Sequence, residues 1–399
     1  MQTDTPNLFV EINYSNYIFV AGVYDDNQNL KIIEKIIVPN EGINKNKFTN
    51  INQAQESIKR NIEVIEDKLN YVFKEVTIII DNFDYSCVNI SGFKKLNGSQ
   101  VLKENISYIL NLLKLAVTEN QKEKTILHIF NSKSVLDGVC VENLPIGSFG
   151  DFYSHELTFF LISNNDLKNI KQIFNKNNLN IKKVLIKNFI DGTQLISKDN
   201  NIETFFKIKI NKDSSNISFF DKASFRYVEY FNFGTSIIFK DIAKVCSINH
   251  EVIEKILLDK FSKNKNFEDN ELLEEKYFTQ GNYRKIRKKL IADIVDSRIE
   301  EIVGIILKKN INIESFKKNN VVIYINIENE LIFDNFKENF KFYFSQDYNS
   351  QPYFINDFSI DESIMSTAHL SIYGWKKEAI PVTQTKNSLI TRIFQSLFG

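Results

Sequence analysis

Glycine is scarce in this chain, 13 of 399 residues, about 3% where an average protein carries roughly 7%. Loops that cradle phosphate are built from glycine, because backbone N–H groups must come close to the ligand, so nucleotide chemistry starts at a disadvantage. The three cysteines, Cys87, Cys140 and Cys246, lie far apart. They form neither a CxxC pair nor a disulfide framework, which fits a reducing cytoplasm, and they read as small core hydrophobes. No stretch reaches about 18 uncharged apolar residues, and no basic segment precedes an apolar run at the N-terminus, so neither a membrane span nor a secretory leader is expected. Net charge is missing too: 50 basic and 50 acidic side chains cancel, which speaks against a protein whose main business is covering nucleic acid. His128, His155, His250 and His369 show no HxxxH or HExxH spacing, and no G-x-S-x-G occurs. Metal and nucleophile chemistry therefore have no motif to stand on, and His128, inside an apolar strand, reads as a core or strand-end histidine.

What is present is a globular composition, 43% hydrophobic and 25% charged, with length for about two to four domains. Three short strands are expected at 7–12, 17–24 and 30–38, then an amphipathic helix at 51–73 carrying Ile58, Ile62, Ile65 and Leu69, then the strand Val76 to Ile80. A different pattern follows from about 86 to 163, with a helix at 100–117 and strands near 124–131 and 155–162. A helix at 165–177 and a strand at 183–187 restore the opening layout. The second half repeats it: strands at 203–210, 216–220 and 225–231, helices at 234–246, 249–261 and 282–308, and strands near 320–325 and 339–344. Beyond Trp375 the tail is polar until its last dozen residues. A three-strand meander with crossover helices thus occurs twice, the signature of an internally duplicated α/β protein with two similar lobes.

Duplicated lobes of this kind resemble the actin and sugar-kinase superfamily, with ribonuclease H-like lobes, and in detail the bacterial cell-division FtsA family. The segment ILHIFNSKSVLDGVCVENLPIGSFG at 126–150 is similar to that family's inserted subdomain, sharing Leu127, His128, Asp137, Pro145, Gly147 and Gly150. Residues 157–196 resemble its strand, helix and strand returning to the first lobe, and STAHLSIYG at 366–374 resembles the motif that closes the second lobe, one residue short. The resemblance implies an actin-like fold divided as follows: a first lobe at 1–85 and 164–196, an FtsA-type α+β insert at 86–163, a second lobe at 197–243 and 319–380, a helical partner-binding subdomain at 244–318, and a linker with a C-terminal helix at 381–399.

Actin-like proteins hold ATP with magnesium between two phosphate hairpins and a later glycine pair. The matching positions here are Glu11-Ile12-Asn13-Tyr14-Ser15-Asn16, Lys209-Ile210-Asn211-Lys212-Asp213-Ser214 and Tyr324-Ile325-Asn326-Ile327-Glu328-Asn329. Every loop glycine is gone. Asparagine tolerates left-handed backbone and Lys212 can pair with phosphate, so Asn13, Tyr14, Ser15, Lys212, Ser214 and Gly234 are the candidate nucleotide contacts. Yet Tyr14 brings bulk and Asp213 negative charge to a phosphate site, and solvated hairpin turns are the preferred reading. No cofactor and no turnover are expected.

The C-terminal stretch carries a clearer physical signal. From Ser388 to Gly399, Leu389, Ile390, Ile393, Phe394, Leu397 and Phe398 fill one half of a helical wheel, and Arg392 lies in the polar half. Such a helix suits the lipid interface, its apolar half buried and Arg392 against anionic headgroups; docking on the protein's own core or on a partner is the alternative. Family members end in a membrane-targeting helix of this type. Upstream, Arg284, Lys285, Arg287, Lys288 and Lys289 open an expected helix with Ile286, Leu290, Ile294, Val295, Ile302 and Ile306 inward, by itself a solvated charged face. By resemblance, IADIVDSRIEEIV at 291–303 matches the family stretch that receives the C-terminal peptide of FtsZ, which puts the peptide-binding residues at Arg298 and Glu301, with Arg284 and Lys288 steering. The expectation is a cytoplasmic adaptor, peripheral on the inner face of the membrane at the division site, with lipid and FtsZ as partners and self-association into actin-like filaments. The alternatives are an ATP-binding filament protein, against which the glycine-free loops speak, and a pilus-type scaffold of the same fold, less in keeping with a lipid-type tail.

Overall fold

The computed structural model describes residues 5–44, 47–199, 201–258, 268, 270–278, 283–316, 321–347 and 352–381. Apolar runs separated by Asn and Asp turns form β1 (Asn7–Ile12), β2 (Asn16–Tyr24) and β3 (Leu30–Pro39), an antiparallel meander. The two-residue strands β4 (Ile43–Asn44) and β5 (Lys47–Phe48) lead into α1 (Ile51–Leu69). The Asn50 side chain caps α1 by accepting from the Gln53 N–H, and Asn70 ends it in the left-handed conformation. With Ala54, Ile58, Ile62 and Ile65 buried, α1 returns the chain to β6 (Glu75–Ile80), parallel to β1.

An inserted unit follows, made of β7 (Tyr85–Lys95), α2 (Lys103–Asn120), β8 (Lys124–Leu136), β9 (Val139–Val141) and β10 (Phe152–Ser163). Helix α2 lies directly on β7 because Gly92 has no side chain; a Cβ there would stand 2.7 Å from Ile109. Then come α3 (Asn164–Lys176), β11 (Asn180–Ile186), parallel to β6, and α4 (Lys187–Lys198). The first sheet has the order β11-β6-β1-β2-β3.

The plan then recurs. Strands β12 (Phe205–Ile210), β13 (Ser215–Asp221) and β14 (Ser224–Phe231) precede α5 (Ser236–Cys246), α6 (His250–Leu258) and α7 (Lys288–Val303). After them come β15 (Val322–Ile327), parallel to β12, α8 (Phe333–Asp347) and β16 (Pro352–Phe354), parallel to β15. This sheet runs β14-β13-β12-β15-β16, the same arrangement as β3-β2-β1-β6-β11. Both sheets therefore carry three parallel strands flanked by the last two strands of a meander, and the duplication expected from the sequence is the actin-like fold. Last come α9 (Ile360–Tyr373), opened by a Ser359–Glu362 capping box, and β17 (Glu378–Pro381). By compactness the chain forms two units. The first comprises the described residues of Met1–Glu203, Phe220–Val228 and Phe358–Gly399, and the second those of Thr204–Phe219 and Glu229–Asp357.

Several expectations need correcting. Residues 339–344 are not a strand but part of α8: their run of aromatics mimics strand alternation, while Phe336 and Phe340, four apart, are both fully buried on one helical face. Helix α7 begins at Lys288, not 282; Arg284, Lys285 and Arg287 precede it on a segment where Leu272 and Arg287 form an antiparallel bridge. Leu290 is exposed rather than inward. The sequence pattern does not mark helix α4 because it is buried on all sides from Lys187 to Ile196, which erases amphipathic periodicity. Strand β7 and helix α9 are further elements beyond those expected, and the segment after Trp375 is not all tail, since β17 pairs with β8. That strand completes the insert's sheet, β17-β8-β10-β7 with β9 on β8.

Glycine positions give a direct test of this packing. A Cβ on Gly192 of α4 would lie 2.0 Å from the Phe220 ring, which stacks on Phe225, itself 4.2 Å from Phe160, so the ring has nowhere to go. Gly192→Ala should cost about 2–3 kcal/mol in urea unfolding. Gly304, with φ −58° and open space around it, should by contrast gain about 0.5 kcal/mol on conversion to alanine.

Candidate functional site

The hairpins that resemblance assigns to phosphate satisfy their own backbone. Between β1 and β2, Asn13 Oδ1 accepts from the N–H groups of Ser15 at 3.1 Å and Asn16 at 2.8 Å, and Asn13 Nδ2 donates to Glu11 Oε1 at 3.1 Å. This is an Asx turn, in which a side-chain oxygen takes the donors that an anion would need. Asn40 Nδ2 donates to the carbonyls of Asn13 and Tyr14, both at 2.9 Å, and the Tyr14 ring stands exposed.

The second hairpin, between β12 and β13, is closed in a similar way. Asn211 N–H donates to Ser214 O at 2.8 Å and Lys212 N–H to Glu328 Oε2 at 3.0 Å. Thr235 and Ser236 N–H donate to the carbonyls of Asn211 and Lys212 at 3.0 and 2.8 Å. Gly234 permits that contact, since a Cβ there would lie 2.2 Å from Asn211 O. Ser236 Oγ donates to Asp213 Oδ1 at 2.6 Å, and Lys209 pairs with Asp357 at 2.5 Å. In the third stretch Asn326 Nδ2 donates to Ile355 O at 3.0 Å. The structure thus joins Lys212 of the second loop to Glu328 of the third by a carboxylate. Neither hairpin, taken by itself, fits a phosphate: at the first an anion would have to displace Asn13 Oδ1 from its two N–H groups, and at the second it would meet Glu328 at the Lys212 N–H, with Asp213 next in sequence. Among the described residues no group of three or more His, Cys, Asp or Glu is placed to hold a metal ion.

Two buried charge clusters lie in the first unit. Lys187 pairs with Asp191 and donates to Ser363 Oγ at 3.0 Å, and burial pushes the Glu11 carboxyl up while the Lys187 ammonium opposes that shift. The positions are legible only in three dimensions, because they come from β1, α4 and α9. In the other cluster His128 Nδ1 lies 2.9 Å from Glu378 Oε1, and Lys183 Nζ lies 3.7 Å from Glu378 Oε2 while donating to Leu370 O at 3.0 Å. Burial works against the Glu378 charge, but Lys183 and His128 together hold its carboxyl below the usual range. His128 is accordingly a paired core histidine. His155 is buried as well, 2.5 Å from Tyr153 Oη and 3.0 Å from Asn131 Oδ1, and burial followed by the nearby Lys377 charge depresses its imidazole to about 4.

In the second unit, Arg298 of α7 donates from Nε to Asp241 Oδ2 of α5 at 2.5 Å and from Nη1 to Glu301. The two residues assigned to peptide binding by resemblance are therefore together, but Arg298 already has carboxylate partners. Lys288 pairs with Glu271 at 2.7 Å, while Arg284 stands on the segment before the helix. The candidate lipid residues Leu389, Ile390, Arg392, Ile393, Phe394, Leu397 and Phe398 lie outside the described residues. No helix among those described is long and apolar enough to cross a membrane.

The comparisons with known proteins agree with this architecture. No protein-family model matches the chain. It is similar to the cell division protein FtsA of Buchnera aphidicola subsp. Schizaphis graminum, 22% identical over 301 residues, 74% of this chain and 71% of the relative. It is also similar to FtsA of Neisseria meningitidis serogroup B, 19% identical over 300 residues, 75% and 72% of the two chains. Among solved structures, the PilM-PilN type IV pilus biogenesis complex superposes with a TM-score of 0.54 at 11% identity, covering 93% of this chain and 99% of the other. The class is thus an α/β protein of duplicated actin-like lobes. Within it, the sequence matches mark the chain as a divergent FtsA-like protein.

His155 makes the charge environment of the insert measurable. Its folded-state value of about 4 lies below the ordinary 6.5, so between those two pH values the unfolded chain binds the extra proton. Stability should fall as pH falls through that window, by about 2 kcal/mol from pH 7 to pH 5. Urea unfolding at the two pH values should show this loss, and His155→Gln should remove most of the difference.

Proposed function

We propose that this protein is a non-enzymatic cell-division adaptor, which ties FtsZ filaments to the cytoplasmic face of the plasma membrane at the division septum. Support comes from the FtsA relatives, which match over about three quarters of the chain, and one observation carries the choice of adaptor over nucleotide enzyme. It is the occupation of the hairpin donors by the chain's own oxygens, Asn13 Oδ1 on Ser15 and Asn16, and Glu328 Oε2 on Lys212. A site that makes its own hydrogen bonds gains little from a phosphate that must first break them. Function then falls to surfaces: an amphipathic tail for lipid and the helical subdomain for a peptide. The pilus-scaffold likeness is one of fold alone.

Burying six large apolar side chains of the tail gives a gross gain near ~10 kcal/mol, offset by the ordering of the tail. Removing residues 388–399 should abolish sedimentation with anionic liposomes while leaving the thermal transition of the body in place. Phe394→Asp should behave like the truncation, since it puts charge into the apolar half. Retained sedimentation by the truncated protein would remove the lipid half of this reading. ATP titrated by calorimetry should give no submicromolar binding and no hydrolysis.

On the partner side, a synthetic C-terminal peptide of FtsZ should bind with micromolar affinity, more weakly as salt rises. The Asp241–Arg298 pair sharpens this test. Asp241→Asn should release the guanidinium and strengthen peptide binding, whereas Arg298→Glu should abolish it; no change in either variant would detach the peptide from this helix.

A further inference from the structure

Helix α2 of the insert is apolar on two sides. Ile106, Ile109, Leu110, Leu113 and Val117 enter the insert's core, while Tyr108, Leu112 and Leu115, spaced four and three apart, form a second stripe that stays 50%, 46% and 57% exposed. The Lys94 ammonium, 4.5 Å over the Tyr108 ring, sets this stripe toward the β7 side of the helix. Exposed Glu104 and Glu119 bracket it, each four residues beyond an end. One exposed leucine is ordinary; a continuous apolar row on a helix whose other face is already in the core marks a docking surface.

The chain itself brings a matching segment within reach. Strand β17 runs antiparallel to β8, with Glu378 opposite Phe130 and Pro381 opposite His128, so it leads out towards Lys124, the end of β8 that follows the C-terminus of α2. Its Ala379 shares the core of α2. In the sheet β17-β8-β10-β7 the outer strands are three spacings apart, so ~4.8 Å per spacing and ~10 Å from sheet to helix put α2 about 17 Å from β17. Residues 382–387, extended, cover about 20 Å. After them comes 388–399, with six large apolar side chains on one half of its expected helix. From 382 on, the side-chain charges are Lys386 and Arg392, with no carboxylate, the sign that suits Glu119 and Glu104. The lengths agree as well, since 388–399 as a helix extends about 18 Å and α2 from Glu119 back to Tyr108 about 17 Å.

We propose that in the absence of lipid residues 388–399 lie antiparallel along α2 of the same chain, their apolar half on Tyr108, Leu112 and Leu115, and that anionic lipid displaces them. The proposal rests on the reading of these residues as a lipid helix and adds the contact that holds them away from a membrane. Tethering selects this occupant over a free one. A segment on so short a linker meets the stripe at an effective concentration in the millimolar range, so a separate partner at micromolar concentration must bind about a thousandfold more tightly to replace it. Three apolar side chains make a weak seat, as an exchangeable contact requires, and the six of the tail bury more surface in lipid.

Leu112→Cys combined with Ile393→Cys, in a full chain whose exposed Cys140 is replaced by serine, should form on oxidation a bridge within one chain, mapped by peptide mass spectrometry and suppressed by phosphatidylglycerol vesicles. With about nine-tenths of chains docked, Leu115→Glu should speed tryptic cleavage after Arg392 and tighten vesicle binding, each about tenfold, with the melting temperature unchanged. No bridge, a bridge that joins two chains, or a Leu115→Glu chain that matches its parent in both cleavage and vesicle binding would overturn the proposal. Vesicle sedimentation by a chain lacking 388–399 would instead fault the lipid reading, and an intramolecular bridge with faster Leu115→Glu cleavage would still support the docking.

Discussion

A buried carboxylate fastens the end of the described chain to two sheets. Glu378 lies on β17, its partner His128 on β8 of the insert's sheet, and Lys183 on β11 of the first sheet. Neither charge tolerates burial alone, since an isolated ion in the interior loses far more hydration than packing returns, so the three side chains hold one another and the strands that carry them in place. Ala379 then enters the insert's core, and Trp375 Nε1 donates to Ala223 O at 2.7 Å. The chain as far as Pro381 is therefore part of the insert's sheet.

The same demand for pairing explains the state of the phosphate hairpins. In loops that lack glycine, asparagine and carboxylate side chains accept from the backbone N–H groups, Asn13 Oδ1 from Ser15 and Asn16 and Glu328 Oε2 from Lys212, which closes the turns with the chain's own oxygens.

Much of the fold was legible in the sequence. Turn clusters between short apolar runs marked both meanders, the spacing of Ile58, Ile62 and Ile65 marked α1, and the recurrence of the whole pattern marked the duplicated lobes. What stayed hidden was whatever lacked a period of its own. Helix α4 is enclosed on every side, and α8 ends in a run of aromatics that imitates a strand. The candidate site divides in the same way. Missing glycines are visible in a string of letters, whereas the side chains that accept from the loop N–H groups are not.

The sequence by itself determined the duplication and the absence of glycine from the three loops, because each depends on local composition or spacing. Tertiary structure alone decided that Glu328 reaches the Lys212 N–H, that Glu378 meets His128 and Lys183, and that Arg298 is held by Asp241. Those pairs lie 116, 250, 195 and 57 residues apart. Contacts at such separations are set by the register and packing of whole sheets and helices, and no local pattern encodes them.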